Sequence, residues 1–121
     1  MLLTNFLFEV KNIKILFICS KNKWRSPTAE KVFHQFNGYD VRSAGTEATA
    51  RVKVTNGHIG WADVIFVMEK KHLRRLKDRF GPLLHNKKIW NLDIPDDYGY
   101  MDEELVEILK ARVGEYIIVP E

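Results

Sequence analysis

A cysteine and an arginine separated by five residues are the first pair in this sequence that could do chemistry together. Cys19 ends a short apolar run, and Arg25 stands directly before Ser26-Pro27, a dipeptide typical of a helix cap followed by the first helical residue. A loop between a strand and a helix N-terminus can turn its backbone N–H groups toward an anion. The helix dipole and the guanidinium would favour the thiolate form of the cysteine, and the guanidinium fits two oxygens of a phosphate. The pattern predicts a cysteine nucleophile in a phosphate-sized loop, although a buried strand cysteine and a surface arginine would show the same spacing.

The elements that must position this loop alternate between strand and helix along the chain. The strand candidates span residues 13–19, 40–43, 63–68 and 88–92, and the helix candidates begin near residues 26, 69 and 102. The first helix has apolar residues at positions 29, 32, 33 and 36, with a glycine at 38 that would end it. Residues 47–60 indicate a loop with a turn or two of helix.

This alternation predicts an α/β fold. We expect a single three-layer domain over residues 1–121, with a four-stranded parallel sheet, helices on both faces and right-handed crossovers. In such sheets ligands bind at the carboxyl ends of the strands, and Cys19 lies at the end of the first one.

Length and composition limit the classes of protein that fit. The chain has 121 residues, 45% of them hydrophobic and 29% charged, and a formal net charge of +3. These values favour a folded domain without a membrane span and, mildly, an anionic ligand. Cys19 is the only cysteine, which excludes a disulfide framework and a redox pair and indicates a reduced, cytoplasmic setting.

The sequence shows no pattern typical of a secretory signal, a metal site or a nucleotide-binding motif. The apolar opening, residues 1–10, lacks the basic start and the cleavage site of a secretory signal. The four histidines have no metal-ligand spacing and no nucleotide-binding glycine motif occurs, so we expect neither a metal ion nor a cofactor.

Several further motifs accompany the cysteine loop. They are Asn22 within the loop, Ala29-Glu30 in the following helix, the turn Ser43-Ala44-Gly45-Thr46, Met68-Glu69 at the end of a later strand, and the acidic loop at residues 93–98. Together these motifs resemble the low-molecular-weight protein tyrosine phosphatase family, in a short variant. The resemblance implies a Rossmann-like fold and a two-step phosphate monoester hydrolase that works through a cysteinyl-phosphate intermediate.

The resemblance also implies roles for individual residues. Cys19 is the expected nucleophile, Arg25 the phosphate clamp and Asp96 the general acid, with Asp97 as the competing choice for the acid. Further residues are expected to bind phosphate or substrate: Ser20, Lys21, Asn22, Lys23, Trp24, Ser26 and Tyr98. Ser26 would donate its hydroxyl to the thiolate, and Ser43 would hold the loop in shape through Asn22.

The sequence departs from the family pattern within the loop and after it. Lys21 replaces the usual glycine, Lys23 an aliphatic residue, and Trp24 a second cysteine that could trap an oxidised Cys19 as a disulfide. The two lysines would favour acidic or multiply phosphorylated substrates. The chain is also shorter than is usual after the Ser43–Thr46 turn, where part of the pocket wall belongs, so Tyr98 is the main aromatic candidate for contact with phosphotyrosine.

Several functions remain open at this point. The leading prediction is a phosphatase acting on a phosphorylated protein or a small phosphate monoester. The alternatives are an inactive phosphate-binding module on the same fold, a phosphatase for another group such as phosphoarginine, and a thiol-dependent arsenate reductase, whose internal-disulfide version needs more cysteines.

The basic run at residues 70–79 could suggest nucleic-acid binding, but the solvated face of an amphipathic helix explains it better. The sequence predicts no membrane partner and does not determine the oligomeric state.

Overall fold

The computed structural model describes residues 12–119, so the predictions made for the apolar opening segment lie outside the described residues. The strands are β1 (Ile13–Cys19), β2 (Tyr39–Gly45), β3 (Val64–Val67) and β4 (Lys88–Asn91). The helices are α1 (Arg25–Phe33), α2 (Asn56–Trp61), α3 (Lys70–Phe80) and α4 (Glu103–Val113), and a short 3₁₀ segment (Gly81–Leu84) follows α3.

The four strands form one parallel sheet in the order β2-β1-β3-β4. Cys19 pairs with Gly45 of β2, and the preceding Ile18 pairs with Val67 of β3. The carboxyl ends of β1, β2 and β3 therefore meet at one edge of the sheet, with β1 in the centre. The predicted parallel α/β fold is confirmed, and its ligand-binding edge is the one that carries Cys19.

The two central strands are apolar along almost their whole length because both faces of the sheet are covered. On one face, Phe17 stacks between Phe33 of α1 and Phe66 of β3, with both pairs of ring centroids 5.5 Å apart. α4 packs on the same face, whereas α2 and α3 cover the other face, where Leu16 and Ile18 of β1 contribute to the core. Helices on both faces, as predicted, hold β1 rigidly and with it the position of Cys19.

The first helix differs from its prediction at both ends. It begins at Arg25 rather than with Ser26 as its cap, and Trp24 at the cap position makes no side-chain capping bond. The reason is that the Ser26 hydroxyl is engaged with Cys19 and Asn22 instead of the helix backbone. The helix ends at Phe33, well before Gly38, which adopts a φ of 97° in the connection to β2.

The remaining elements follow the sequence pattern closely. β2 extends beyond the predicted 40–43 segment in both directions, and α2 provides the short helix expected within residues 47–60. α4 begins as predicted after Asp102, whose carboxylate accepts a hydrogen bond from the Glu104 amide at 2.9 Å. Within residues 12–119, none of the helices has both the length and the apolar character that a bilayer span needs.

Candidate active site

A cleft of about 170 Å³ opens at the carboxyl end of β1. Nine residues line it: Cys19, Ser20, Lys21, Lys23, Trp24, Arg25, Glu47, Lys71 and Asp96. They come from the loop after β1, the segment after β2, the start of α3 and the segment after β4. Seven of them were singled out from the sequence, and the fold brings these seven together.

Cys19 lies at the bottom of the cleft, and its side chain is almost completely buried. Its Sγ is 2.9 Å from the Oγ of Ser26. The Asn22 amide donates to the same Oγ at 2.8 Å, so the single hydroxyl hydrogen of Ser26 is available for the sulfur. A hydroxyl that donates to the sulfur stabilises a thiolate over a thiol.

Asn22 organises the loop from behind the cleft. Its φ of 54° lies in the left-handed region, which asparagine tolerates better than most residues. Its Nδ2 also donates to the Ser43 hydroxyl at 2.9 Å, and Ser43 in turn donates to the Glu30 carboxylate. This chain of hydrogen bonds connects the loop to β2 and α1, because Ser43 and Glu30 belong to those elements.

The segment after β2 supports the loop through its backbone. The carbonyl of Ser20 accepts from the Glu47 amide at 2.9 Å, and the carbonyl of Lys21 accepts from the Arg51 amide at 3.0 Å. A C=O and the N–H of the next residue point to opposite sides of a trans peptide. Anchoring these carbonyls on the outside therefore directs the N–H groups that follow them toward the other side, as an anion-binding loop requires.

Arg25 is buried to 2% exposure beside the cleft and contacts the start of α3 and the segment after β4. One terminal nitrogen, Nη1, donates to the Glu69 carboxylate and, at 2.8 Å, to the backbone oxygen of Ile94. Burial alone would raise the pKa of Glu69, but the hydrogen bond and charge of Arg25, with further help from Lys71, hold that pKa below its usual value. The guanidinium is thus fixed in position by a charged carboxylate.

The acidic loop places one of its two aspartates at the cleft. Asp96 lines the cleft with its side chain 57% exposed, and one of its carboxylate oxygens is 3.7 Å from the Nε of Arg25. Asp97 is exposed and does not line the cleft. Tyr98, predicted from the sequence to contact substrate, packs against the hydrophobic core and is also not among the lining residues.

The aromatic residue and two of the basic residues at the rim come from the loop itself. Trp24 is 39% exposed, and the ammonium group of Lys23 lies 4.8 Å from the centre of its ring. Lys21 is also exposed. With Lys71 at the start of α3, the rim therefore has one aromatic surface and three cations, in place of a slot between two aromatic walls.

His72 is a site residue that the sequence reasoning missed. It lies in the first turn of α3 and is completely buried. Its Nδ1 accepts from the Glu69 amide at 3.0 Å, and its Nε2 is 2.8 Å from the Oγ of Ser20. Burial, with Arg25 as the next cause, lowers the pKa of His72 to about 3. The ring is therefore neutral near pH 7, and since Nδ1 accepts, Nε2 carries the hydrogen and donates to Ser20.

The donor set is suited to an anion rather than to a metal ion. Between residues 12 and 119, no three histidine, cysteine, aspartate or glutamate side chains lie together as a metal site would need. A cysteine sulfur beside a hydroxyl, a loop that leads into a helix N-terminus, a fixed arginine and an exposed carboxylate form a site whose composition suits an oxyanion such as phosphate.

Comparison with known proteins agrees with this class. The model of the family described as low molecular weight phosphotyrosine protein phosphatase matches residues 14–60, which include nearly all of β1, the cysteine loop, α1 and β2. No match was found among curated protein sequences.

The fold is also that of several solved structures. The YwlE arginine phosphatase from Geobacillus stearothermophilus shares 24% identity over 86% of this chain and 85% of that chain, with a TM-score of 0.62. The tyrosine phosphatase Wzb from Escherichia coli K30, in complex with phosphate, shares 22% identity over 87% and 96%, with a TM-score of 0.69. The low molecular weight protein tyrosine phosphatase SP-PTP from Streptococcus pyogenes shares 18% identity over 90% and 95%, with a TM-score of 0.71.

The predicted resemblance to the low-molecular-weight phosphatase family is confirmed over residues 14–60, and the fold from β1 to α4 is shared with solved structures of low molecular weight phosphatases.

Proposed function

We propose that this chain is a cysteine-dependent phosphate monoester hydrolase acting on phosphotyrosine in proteins. The observation that carries the proposal is the Sγ of Cys19, held 2.9 Å from a hydroxyl at the bottom of a cleft lined by Arg25 and Asp96. A buried structural cysteine would have no cleft of this kind above it. The family match and the fold of known phosphatases support the same function.

In the first chemical step, the Cys19 thiolate attacks phosphorus and the bond to the leaving oxygen breaks. The phosphoryl group moves to sulfur while Arg25 and the loop amides bind its three outer oxygens. Asp96 donates a proton to the leaving oxygen, so that a phenol or alcohol departs instead of an anion. The Ser26 hydroxyl stabilises the thiolate before the attack and the sulfur again when it is released.

In the second step, water replaces the departed group and attacks the cysteinyl phosphate. Asp96, now a carboxylate, accepts a proton from this water. The sulfur–phosphorus bond breaks, inorganic phosphate leaves, and the thiolate is regenerated. The exposure of Asp96 favours this role, because the carboxylate must meet both the leaving group and solvent water.

The proposal is tested by turnover of p-nitrophenyl phosphate. We expect the wild-type chain to release p-nitrophenol and Cys19→Ser to lose this activity. Ser20→Ala is the matched control: it also replaces one small side chain in the loop, but it leaves the nucleophile in place and should retain measurable turnover. Absence of turnover by the wild-type chain, with phosphate binding intact, would favour the inactive phosphate-binding module instead.

Phosphoarginine is the second candidate substrate, and a specific observation favours it. The cleft has carboxylates at Glu47 and Asp96 but only one aromatic residue, Trp24. Carboxylates bind a guanidinium well, whereas a phenol ring gains more from aromatic walls. One of the structures with this fold is an arginine phosphatase.

Peptides that carry phosphotyrosine, phosphoserine or phosphoarginine separate these candidates. Preference for phosphotyrosine supports the main proposal. Preference for phosphoarginine that is lost in Glu47→Gln would assign the second function.

We further propose that residues 1–121 act as one domain, in the cytoplasm, on phosphorylated protein. A single cysteine that must stay reduced to act as a nucleophile supports this location, since reducing compartments maintain free thiols.

A further inference from the structure

A second cavity, about 500 Å³ in volume, lies beside the cleft, and we call it the basic groove. It shares Lys23 with the cleft, so the two are contiguous. Its walls come from α1, the segment after β2 and the loop before α4, and its polar lining consists of Lys23, Glu30, Lys31, His34, Arg51 and Tyr100. The groove is about three times as large as the cleft that contains Cys19.

Arg51 is held in place by the cysteine loop. Its backbone amide donates to the carbonyl of Lys21 at 3.0 Å, and its Nε donates to the carbonyl of Asn22 at 3.1 Å. Among residues 12–119, the terminal guanidinium nitrogens have neither a hydrogen-bond partner nor an ion-pair partner. An arginine fixed by its Nε presents its remaining donors with little loss of side-chain entropy, which suits recognition of a carboxylate or phosphate.

The charges of the groove select for an anion. Lys23, Lys31 and Arg51 bring three positive charges against the single carboxylate of Glu30, and Glu30 already accepts a hydrogen bond from Ser43. Tyr100, half exposed, adds an aromatic surface and a hydroxyl. A groove of this composition suits a peptide backbone that carries an acidic side chain.

We propose that the basic groove binds an acidic residue that flanks the phosphorylated residue of the substrate. The inference rests on the proposed function, because a phosphoryl group in the cleft would place the adjoining peptide next to Lys23. The occupant is a peptide rather than a nucleic acid, since one groove joined to one small cleft recognises two anionic groups at a fixed separation. The substrate class is therefore an acidic phosphopeptide.

The experiment compares phosphopeptides of one sequence that carry either glutamate or glutamine at each of the three positions on either side of the phosphorylated residue. We expect at least one glutamate position to raise kcat/KM by about three- to tenfold, which is the size of one or two exposed charge pairs. Lys31→Glu should abolish this advantage, because it reverses an exposed charge of the groove. Lys77→Glu makes the same charge change in the last turn of α3 and should leave the advantage intact.

Two further measurements separate the groove from the catalytic proposal. Turnover of p-nitrophenyl phosphate, which is too small to reach the groove, should be unchanged in Lys31→Glu. Binding of the same peptides to Cys19→Ser, followed by fluorescence anisotropy, tests the groove even if the wild-type chain shows no turnover.

The groove proposal is overturned if glutamate and glutamine peptides bind and react alike, or if Lys31→Glu and Lys77→Glu have equal effects. A groove that retains single-stranded RNA more tightly than the acidic peptides, with that binding lost in Lys31→Glu, would also overturn it.

Discussion

The hydroxyl of Ser26 carries one hydrogen, and the surrounding donors decide where it points. Asn22 donates to the Ser26 oxygen, which leaves the hydrogen for Cys19 at 2.9 Å. The same amide group donates to Ser43, whose own hydrogen goes to Glu30. A hydrogen-bond chain with this direction ends on the sulfur. At the scale of single residues, the site therefore directs a hydroxyl hydrogen to Cys19 in a cleft that Arg25 also lines.

The choice of Asp96 as the general acid predicts a dependence on the leaving group. Asp96→Asn should lower kcat by about 10²- to 10⁴-fold for alkyl phosphates and phenyl phosphate, whose leaving groups need a proton. The loss should be much smaller for p-nitrophenyl phosphate, because p-nitrophenolate is stable without one. The measurement is kcat for a series of aryl phosphates whose phenols differ in pKa.

Asp97→Asn is the matched control for this series, since it removes a neighbouring exposed carboxylate that does not line the cleft. For Asp97→Asn, the dependence of kcat on the pKa of the leaving phenol should run nearly parallel to that of the wild-type chain. If the steep dependence appears in Asp97→Asn instead, the assignment of the acid is wrong.

At the residue scale, the sequence could place a residue where its neighbours along the chain define its surroundings. The loop from Cys19 to Arg25 could be located because a strand and a helix enclose it. His72 was missed because it lies in a run of cations that indicates a solvated helix face, and only tertiary structure brings it to Ser20. Tyr98 was named from the resemblance, but whether its ring faces the cleft depends on how the acidic loop folds, which spacing along the chain does not determine.

At the scale of elements, the contact between β2 and the cysteine loop leaves no space for a side chain at Gly45. A Cβ there would lie 2.6 Å from the Ser20 carbonyl, 2.7 Å from the Ala50 Cβ and 2.9 Å from the Asn22 nitrogen. Two of these three contacts are with backbone atoms, which cannot move without changing the loop. The glycine of the Ser43–Thr46 turn therefore allows the close approach that shapes the cysteine loop.

Gly45→Ala should accordingly damage the site and the fold together. We expect the free energy of unfolding to fall by about 1–3 kcal/mol, as for other overpacked positions, and turnover of p-nitrophenyl phosphate to fall by at least tenfold. Urea denaturation and steady-state kinetics measure the two effects.

Gly60→Ala provides the contrast, because a Cβ at Gly60 meets nothing within 4 Å and the residue lies in α2. It should leave turnover unchanged and stabilise the chain by up to about 1 kcal/mol. Normal turnover and stability in Gly45→Ala would show that the loop does not depend on this contact.

The elements themselves were largely predictable because burial on both sheet faces gives β1 and β3 continuous apolar runs. α3 and α4 were also found from their spacing of apolar residues. The start of α1 was predicted wrongly because Ser26-Pro27 matches a local capping rule, whereas Cys19 and Asn22 use the serine hydroxyl. Local propensity was overridden by the requirements of the site.

At the scale of the whole molecule, His72 makes stability depend on pH. Its pKa is lowered to about 3 in the folded chain, by burial first and then by Arg25, from an ordinary value of 6.5. Between these two values the unfolded chain binds a proton that the folded chain does not. The stability contributed by neutral His72 is therefore fully present above about pH 6.5 and is lost as pH falls toward 3.

The expected slope is up to about 1.4 kcal/mol per pH unit near pH 5. It is measured as the change in free energy of unfolding between pH 7 and pH 5, in urea, for the wild-type chain and for His72→Gln. The glutamine amide can still donate to Ser20 but does not titrate, so the variant should lose less stability on acidification. Equal losses in both proteins would mean that His72 is not held neutral in the fold.

The central claim is that phosphate passes through the sulfur of Cys19, and trapping that intermediate tests it most directly. The chain is mixed with a phosphotyrosine peptide, quenched in acid within the first turnover, and digested for mass spectrometry. We predict one phosphoryl group per chain, on the peptide that contains Cys19, formed as the first tyrosine product appears and absent in Cys19→Ser. Rapid turnover with no phosphoryl group on Cys19 at any quench time, or unimpaired turnover by Cys19→Ser, would contradict the claim.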